Sequence, residues 1–243
     1  MAVKVAVAGA TWATAVCIEV LRIHGYEPIV LGQKHSDRVA GWCDLNPDYW
    51  FDHINDEADL LAILDLDVLF VVGLSQLVAG HILDQPRFGC VGFHPTRLPK
   101  GRGRAPIAWL VLGETEGAAT FFQLDEGIDS GPIFVQVPFD VGPDDYAQDV
   151  CDRITGAMIE ALCQWLPHLE EWKSTPQDHT QATYLPARRP ADGEIDWTQP
   201  VEDIHRLIRA TSRPHPGAWT GNRTVWRATI VDGQLRADEW EPR

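Results

Sequence analysis

An alternation of strand and helix patterns opens the chain, and it constrains the fold more than any other feature. Residues 4–8 are a valine-rich apolar run, which is typical of a strand buried on both faces. Residues 14–23 carry apolar side chains at helical spacing, and residues 27–31 form a second strand pattern. A strand, a helix and a second strand in this order predict a parallel sheet with a right-handed crossover.

The alternation continues through residue 94 and predicts a doubly wound α/β domain whose sheet is mainly parallel. Further strands are predicted at 49–52, 68–72, 90–94, 118–124 and 132–139, and helices at 56–64, 79–83, 105–112 and 144–171, with a short helix within 36–50. A helix at 201–211 and a hairpin of strands at 224–231 and 235–240 end the chain. We therefore predict a main domain at 1–172, a polar linker at 173–200 and a short C-terminal α+β extension at 201–243.

Charge and cysteine usage exclude several classes of function. The chain has 243 residues and a formal net charge of -15, which repels nucleic acid, and its basic stretches at 97–104 and 188–189 are short. Its five cysteines show neither a CxxC pair nor zinc-site spacing, so we predict reduced thiols, a cytoplasmic location and no metal. No apolar run approaches the roughly 18 residues of a membrane helix, so no membrane partner is expected.

A proton-transfer pair is the first chemical hypothesis. His94 ends an apolar run, and Asp129 lies in an acidic loop bounded by glycines. In doubly wound sheets ligands bind at the carboxyl ends of strands, where we expect His94 and the loop after Val72. The alternatives are a histidine that merely packs at a strand end and an aspartate that stabilises an ordinary turn. The turn at 9–13 matches neither GxGxxG nor a P-loop, so no nucleotide cofactor site is predicted there.

Four motifs carry a resemblance to a known family. They are HPTRLPKGRGRAPIAW at 94–109, DEGIDSG at 125–131, ATYLPARRPADGEIDW at 182–197 and IRATSRPHPGAW at 208–219. In this order and spacing they resemble the formyltransferases that use 10-formyltetrahydrofolate, which include methionyl-tRNA formyltransferase and the N-formyltransferases of nucleotide-linked amino sugars. The resemblance covers most of the chain. It implies a Rossmann-like formyltransferase fold, a one-carbon transfer and 10-formyltetrahydrofolate as co-substrate.

The resemblance also implies a catalytic set, and this chain departs from it at one position. In the family an Asn, a His two residues later and an Asp form the set; His94 and Asp129 match the last two, but Gly92 stands in the Asn position. Such an Asn donates a hydrogen bond to the developing oxyanion, a contact worth roughly 3 kcal/mol. Three readings follow: another donor replaces it, the scaffold performs a different one-carbon or acyl transfer, or the protein is catalytically weakened.

The remaining site residues are likewise implied by the resemblance. The folate lies along two loops, whose predicted contact residues are Ser75, Gln76, Leu77, Val78, Asp125, Gly127 and Ile128. The acceptor is held by Thr96, Arg102, Arg104, Arg188 and Arg189, because guanidinium groups suit carboxylate or phosphate. The alternative for the arginines is a solvated surface position, and for Leu77 and Val78 it is simple core packing.

The acceptor is predicted to be a small amine, either a nucleotide-linked amino sugar or a natural-product intermediate. The net charge of -15 and the acidic residues of the short tail, among them Asp232, Asp238, Glu239 and Glu241, argue against tRNA. A terminal hairpin also offers an edge for a homodimer. Two other classes stay open, a formyltetrahydrofolate hydrolase and a folate-binding relative without turnover.

Overall fold

The computed structural model describes residues 3–34 and 46–243. The short helix predicted within 36–50 falls largely outside the described residues. The strands are β1 Val5–Gly9, β2 Ile29–Gln33, β3 Tyr49–Phe51, β4 Val68–Val71, β5 Gly89–Thr96, β6 Arg102–Gly103, β7 Gly117–Gln123, β8 Ile133–Phe139, β9 Tyr184–Leu185, β10 Ala218–Thr220, β11 Arg223–Val231 and β12 Gln234–Pro242. The α-helices are α1 Trp12–Ile23, α2 Ala58–Leu64, α3 Gly80–Leu83, α4 Pro106–Leu112, α5 Ala147–Trp165 and α6 Val201–Thr211.

A seven-stranded sheet in the order β3-β2-β1-β4-β5-β7-β8 forms the centre of the molecule. The first five strands of this order are parallel, whereas β7 pairs with β5, and β8 with β7, in antiparallel fashion. The predicted α/β class with a doubly wound, mainly parallel sheet is confirmed. None of the helices in the described part of the chain is long and apolar enough to cross a bilayer.

Each face of the sheet is covered by its own apolar core. One core packs α1 and α5 against the sheet and includes Val91 of β5. The other lies on the side of α2 and α3 and includes Cys90. Because side chains alternate along a strand, Gly92 and His94 share the face of Cys90. The strand thus directs His94 toward the side of the sheet that carries α2 and α3.

Helix α5 is shorter than the sequence predicts. The helical pattern at 144–171 is continuous in apolar spacing, but the α-helix ends at Trp165 and a 3-10 helix at Leu166–Glu171 follows. Pro167 explains the change, because its ring clashes with the preceding helical turn and it has no N–H to donate. Trp165 then stacks on Phe134 of β8, with the ring centroids 4.6 Å apart.

The predicted linker at 173–200 is held against the main sheet by specific contacts. Its strand β9 pairs with β6, so that Tyr184 lies opposite Arg102, and Gln177 is buried. These contacts involve a two-residue strand and single side chains and leave no periodic pattern, which is why the sequence predicts only a linker here. The division into 1–172, 173–200 and 201–243 stays a prediction.

The C-terminal elements form a small layer of their own. Strands β10, β11 and β12 make an antiparallel sheet, and α6 packs on it through Ile204 and Ile208. The hydroxyl of Tyr146 donates to the carbonyl of Ala228 at 3.0 Å and ties this layer to the start of α5. The predicted hairpin is present, together with a third strand, Ala218–Thr220, that was not predicted.

Candidate active site

His94 lies near the end of β5, and its side chain is almost fully buried. Its Nε2 is 2.8 Å from the carbonyl oxygen of Gly101. Because a carbonyl only accepts hydrogen bonds, Nε2 must carry a hydrogen and donate it. In the neutral ring, Nδ1 is therefore the unprotonated, basic atom.

Asp129 faces that basic atom. Its Oδ2 lies 3.6 Å from His94 Nδ1 and accepts a hydrogen bond of 2.8 Å from the N–H of Gly103. A carboxylate at this distance stabilises the imidazolium that forms when Nδ1 takes a proton. The structure thus brings together the two predicted members of the proton-transfer pair, as we call His94 and Asp129 from here on.

The loop that carries Asp129 leaves the sheet near the amino end of β5, away from the carboxyl end near which His94 lies. Strand β7 runs antiparallel to β5, and the N–H of Leu124 donates to the carbonyl of Cys90 near the amino end of β5. The loop then folds back over the sheet and brings Asp129 to His94. Asp129 takes a left-handed backbone conformation there, with φ of 49°, which is uncommon for a residue with a side chain.

One turn, at residues 101–103, contacts both members of the proton-transfer pair. The carbonyl of Gly101 accepts from His94, and the N–H of Gly103 donates to Asp129. Gly103 has φ of 113°, and a Cβ at this position would lie 2.4 Å from the carbonyl oxygen of Leu185. Only glycine satisfies both conditions, so the local geometry requires glycine at position 103.

Two residues predicted to bind the acceptor are buried instead. Thr96 is fully buried, and its hydroxyl donates to the carbonyl of Lys100 at 2.9 Å. Arg102 is 1% exposed, and its guanidinium donates to Gln177 and Tyr184. Their burial corrects the sequence-based assignment, because neither side chain is available to a ligand; both stabilise the 101–103 turn.

The other three predicted arginines lie nearer the surface. Arg104 and Arg189 are exposed, and Arg188 is partly buried, with its guanidinium 4.9 Å from the centre of the Trp109 ring. Burial lowers the pKa of Arg188, which nevertheless stays a cation at neutral pH. These three side chains remain candidates for acceptor binding.

The loop predicted to hold folate is braced by side chains. Gln76 accepts from the N–H of Ile54 and donates to the carbonyl of Asp52, both at 2.8 Å, so its amide serves the loop and not a ligand. Asn55 donates to the carbonyl of Leu77 at 3.0 Å and accepts from the N–H of Ala79 at 2.9 Å. Sequence reasoning missed Asn55, because a lone Asn in a polar turn carries no distinctive signal.

The same loop presents apolar surface beside the acidic loop. Leu77 is 68% exposed and Ile128 is 47% exposed, whereas Val78 packs against the core. The acidic loop is braced by Asp125, which accepts from the N–H of Gly127 at 3.0 Å and from the hydroxyl of Ser130 at 2.7 Å. The two loops meet, since a Cβ on Gly80 would lie 2.7 Å from Glu126 Oε1.

The space beside Gly92 is filled by apolar side chains. A Cβ on Gly92 would lie 2.6 Å from Leu124 Cδ2 and 2.9 Å from Phe122 Cζ. A residue with a side chain therefore does not fit at position 92 unless both Leu124 and Phe122 move. The packing of Leu124 and Phe122 thus favours glycine at position 92 of this chain.

Two family models match the chain, and together they cover more than half of it. The formyl transferase model matches residues 50–166, and the model of the formyl transferase C-terminal domain matches residues 188–239. The chain belongs to the formyltransferase family. The resemblance predicted from the four motifs is therefore confirmed.

Individual relatives and solved structures agree with this assignment. A methionyl-tRNA formyltransferase from Agathobacter rectalis is 33% identical over 191 residues, which are 76% of this chain and 60% of that relative. The chain thus spans less than two thirds of that protein. The structure of a methionyl-tRNA formyltransferase from Clostridium thermocellum has a TM-score of 0.77 at 20% identity and covers 100% of this chain and 99% of its own. The structure of an N-formyltransferase from Helicobacter canadensis, in complex with folinic acid and dTDP-3-aminofucose, has a TM-score of 0.74 at 17% identity. The match covers 95% of this chain and 89% of that protein.

Proposed function

We propose that this protein transfers a formyl group from 10-formyltetrahydrofolate to the amine of a small molecule. The observation that carries the proposal is the proton-transfer pair: Nδ1 of His94 lies 3.6 Å from the Asp129 carboxylate, in a chain of the formyltransferase family. Removing a proton from an attacking amine requires a base of this kind in the site. The pair supplies it at a defined atom, Nδ1.

The path of the proton follows from the orientation of the His94 imidazole ring. The amine nitrogen attacks the formyl carbon, and a new C–N bond forms while the amine proton moves to Nδ1 of His94. Asp129 stabilises the resulting imidazolium. The bond between the formyl carbon and the folate nitrogen then breaks, and the proton passes to that nitrogen. Nε2 keeps its hydrogen bond to Gly101 throughout, so the ring does not need to turn.

The two braced loops suit the folate co-substrate. Leu77 and Ile128 are exposed apolar side chains on neighbouring loops, which is the surface that a flat heterocyclic ring needs. Asn55 and Gln76 hold the backbone of the first loop in place, so its polar groups are preorganised for a ligand. The folinic acid bound by the Helicobacter canadensis neighbour supports the same assignment.

The acceptor is proposed to be an amine on an anionic small molecule, such as a nucleotide-linked amino sugar. Arg104, Arg188 and Arg189 provide positive charge beyond the 101–103 turn, which suits phosphate groups. The Helicobacter canadensis neighbour, with its bound dTDP-3-aminofucose, is consistent with this class.

Aminoacyl-tRNA is the second candidate for the acceptor. Its exclusion on the basis of net charge and an acidic tail is not supported. The curated relative with 33% identity is a methionyl-tRNA formyltransferase. In residues 201–243 arginines outnumber Asp and Glu, so the negative charge of the chain lies elsewhere. Several of these arginines stack on tryptophans: Arg213 on Trp226, Arg223 on Trp240 and Arg243 on Trp219. Arginine and aromatic side chains together suit nucleic acid.

An incubation with 10-formyltetrahydrofolate and separate acceptors tests the proposal. The acceptors are a set of nucleotide-linked amino sugars and methionyl-tRNA, with one reaction that contains no amine, and released tetrahydrofolate and formylated product are both measured. We expect stoichiometric release and formylation with an amino sugar. Formylation of the tRNA alone favours the second candidate. Release without any amine indicates a hydrolase, and no release in any reaction indicates a folate-binding protein.

A further inference from the structure

The segment between the two family-model matches contacts the proposed site. The formyl transferase match ends at residue 166 and the C-terminal match begins at residue 188. Gln177 and Thr183 lie between them, and both bond to groups that hold the proton-transfer pair. We propose that Gln177, together with Arg102 and Thr183, positions this pair for proton transfer.

Gln177 is the central contact. It is 6% exposed, and its Nε2 donates to the carbonyl of Asp129 at 3.0 Å and to the carbonyl of Gly131 at 2.7 Å. Its Oε1 accepts two hydrogen bonds from Arg102, from Nε at 3.2 Å and from Nη2 at 2.7 Å. Both donors and both acceptor positions of the amide are thus in use. The amide holds Asp129 on one side and the 101–103 turn on the other.

Arg102 transmits this contact to the turn. Its guanidinium, 1% exposed, also lies 3.1 Å from the hydroxyl of Tyr184 and 3.1 Å from Nδ1 of His179. The cation is therefore fixed by polar groups on the 177–184 segment, and a buried cation is costly unless such partners are retained. Because Arg102 is the middle residue of the turn, its neighbours Gly101 and Gly103 are fixed with it.

Thr183 provides an independent contact to the turn. Its hydroxyl accepts from the N–H of Gly101 at 2.8 Å, and its carbonyl accepts from the N–H of Arg102 at 2.9 Å. The peptide group that receives His94 is thereby held from the opposite side. Both members of the proton-transfer pair consequently depend on the 177–184 segment for their relative position.

The left-handed backbone of Asp129 shows why a positioning residue is needed. A φ of 49° is unfavourable for a residue with a side chain, so surrounding contacts must maintain it. The carbonyl of Asp129 is held by Gln177 and its carboxylate by Gly103. Without Gln177 the backbone can relax, and the carboxylate moves away from His94.

The substitution Gln177→Met tests the proposal, because it keeps the volume and removes all four hydrogen bonds. The expected effect on kcat rests on the proposed formyl transfer. A displacement of about 1 Å in a catalytic group lowers the rate up to roughly 100-fold, so we expect kcat to fall about 10- to 100-fold. The KM for 10-formyltetrahydrofolate changes less than kcat, since Gln177 contacts the acidic loop only through the carbonyls of Asp129 and Gly131 and does not bond to Asp125, Gly127 or Ile128. Gln164→Met is the matched control, because Gln164 bonds only to Glu160 on the exposed side of α5.

A spectroscopic measurement reports the position of Asp129 without any turnover. The amide proton of Gly103 donates to the carboxylate, so its NMR resonance lies downfield, and Asp129→Ala shows where it lies when the bond is lost. We expect this resonance to move upfield in Gln177→Met and to stay unchanged in Gln164→Met. Gln177→Glu keeps the contact with Arg102 but lacks both N–H donors. It must also move the Gly103 resonance, so it gives the same test if the Met variant does not fold.

The outcomes separate this inference from the proposed function. A Gly103 resonance at the wild-type position in Gln177→Met or Gln177→Glu overturns the inference. So does a shifted resonance with an unchanged kcat in an enzyme that turns over. If the wild-type protein formylates no acceptor, the proposed function fails, and the Gly103 resonance still decides whether Gln177 positions Asp129.

Discussion

Replacing Gly92 by asparagine tests whether the packing around position 92 excludes the oxyanion donor that the family resemblance predicts there. The new Cβ would lie 2.6 Å from Leu124 Cδ2 and 2.9 Å from Phe122 Cζ, both closer than real contacts. Overpacking of this kind costs about 1–3 kcal/mol, so Gly92→Asn is expected to lower the free energy of unfolding by that amount. The single variant should gain little activity, because the amide is displaced from its place near the formyl group.

The double variant Gly92→Asn with Leu124→Ala removes the closer of the two clashes and leaves the 2.9 Å contact with Phe122 Cζ. Leu124→Ala alone costs about 2 kcal/mol, the low end for this change, because Leu124 is only partly buried. In the double variant the asparagine fills part of the cavity that Leu124→Ala leaves. The losses in unfolding free energy of the two single variants are therefore not additive, and the double variant should be roughly 1–2 kcal/mol more stable than their sum predicts. An added oxyanion donor raises kcat by up to about 100- to 1,000-fold.

Urea unfolding and steady-state formylation of the acceptor found in the incubation above measure both effects. All four proteins of the cycle are compared: wild type, each single variant and the double variant. The reasoning is refuted if Gly92→Asn is as stable as wild type, since Leu124 would then not occupy the space. It is also refuted if the double variant turns over no faster than Leu124→Ala.

Three further predictions concern charge and exposure. Asp129→Asn should keep the fold but lower kcat about 100-fold or more, because the imidazolium loses its carboxylate; a wild-type rate would contradict the proposed role. Hydrogen bonds from Arg153 hold the pKa of Asp145 below its usual range, so this carboxylate stabilises the protein above about pH 4 and ceases to do so as the pH falls. Urea unfolding should therefore show Asp145→Asn less stable than wild type by at most about 1 kcal/mol at pH 7, with the gap closing near pH 3. Burial raises the pKa of Cys90 to about 12, whereas Cys163 is exposed, so brief alkylation followed by mass spectrometry should find Cys163 modified and Cys90 intact.

The regular elements of the fold could be predicted because their residues repeat with a period. Helix α6 begins and ends at the predicted residues, Val201 and Thr211, since its apolar face is strongly periodic. The end of α5 could not be read from periodicity, because Pro167 interrupts a pattern that otherwise continues. The short strand Ala218–Thr220 was missed because three residues are too few to show alternation.

The site was predictable only where a motif marked it. His94 and Asp129 were both identified, but their contact depends on a loop that folds back across the sheet, and no local pattern encodes that path. Arg102 was assigned to the acceptor from the family resemblance and the affinity of guanidinium groups for anions, and its burial could not be foreseen because a buried arginine is rare. Gln177 was missed for the opposite reason, since a glutamine in a stretch without periodicity gives no sign that it will be buried.

The most direct test of the central claim, that the proton-transfer pair takes the amine proton at Nδ1 of His94, is a single-turnover measurement on His94→Gln. The glutamine amide can donate to the carbonyl of Gly101 as Nε2 does, but it has no basic nitrogen. With protein in excess over 10-formyltetrahydrofolate and saturating amine, we predict a rate of formyl transfer about 100- to 10,000-fold below wild type, with the affinity for folate unchanged. A rate close to that of the wild-type protein would contradict the account.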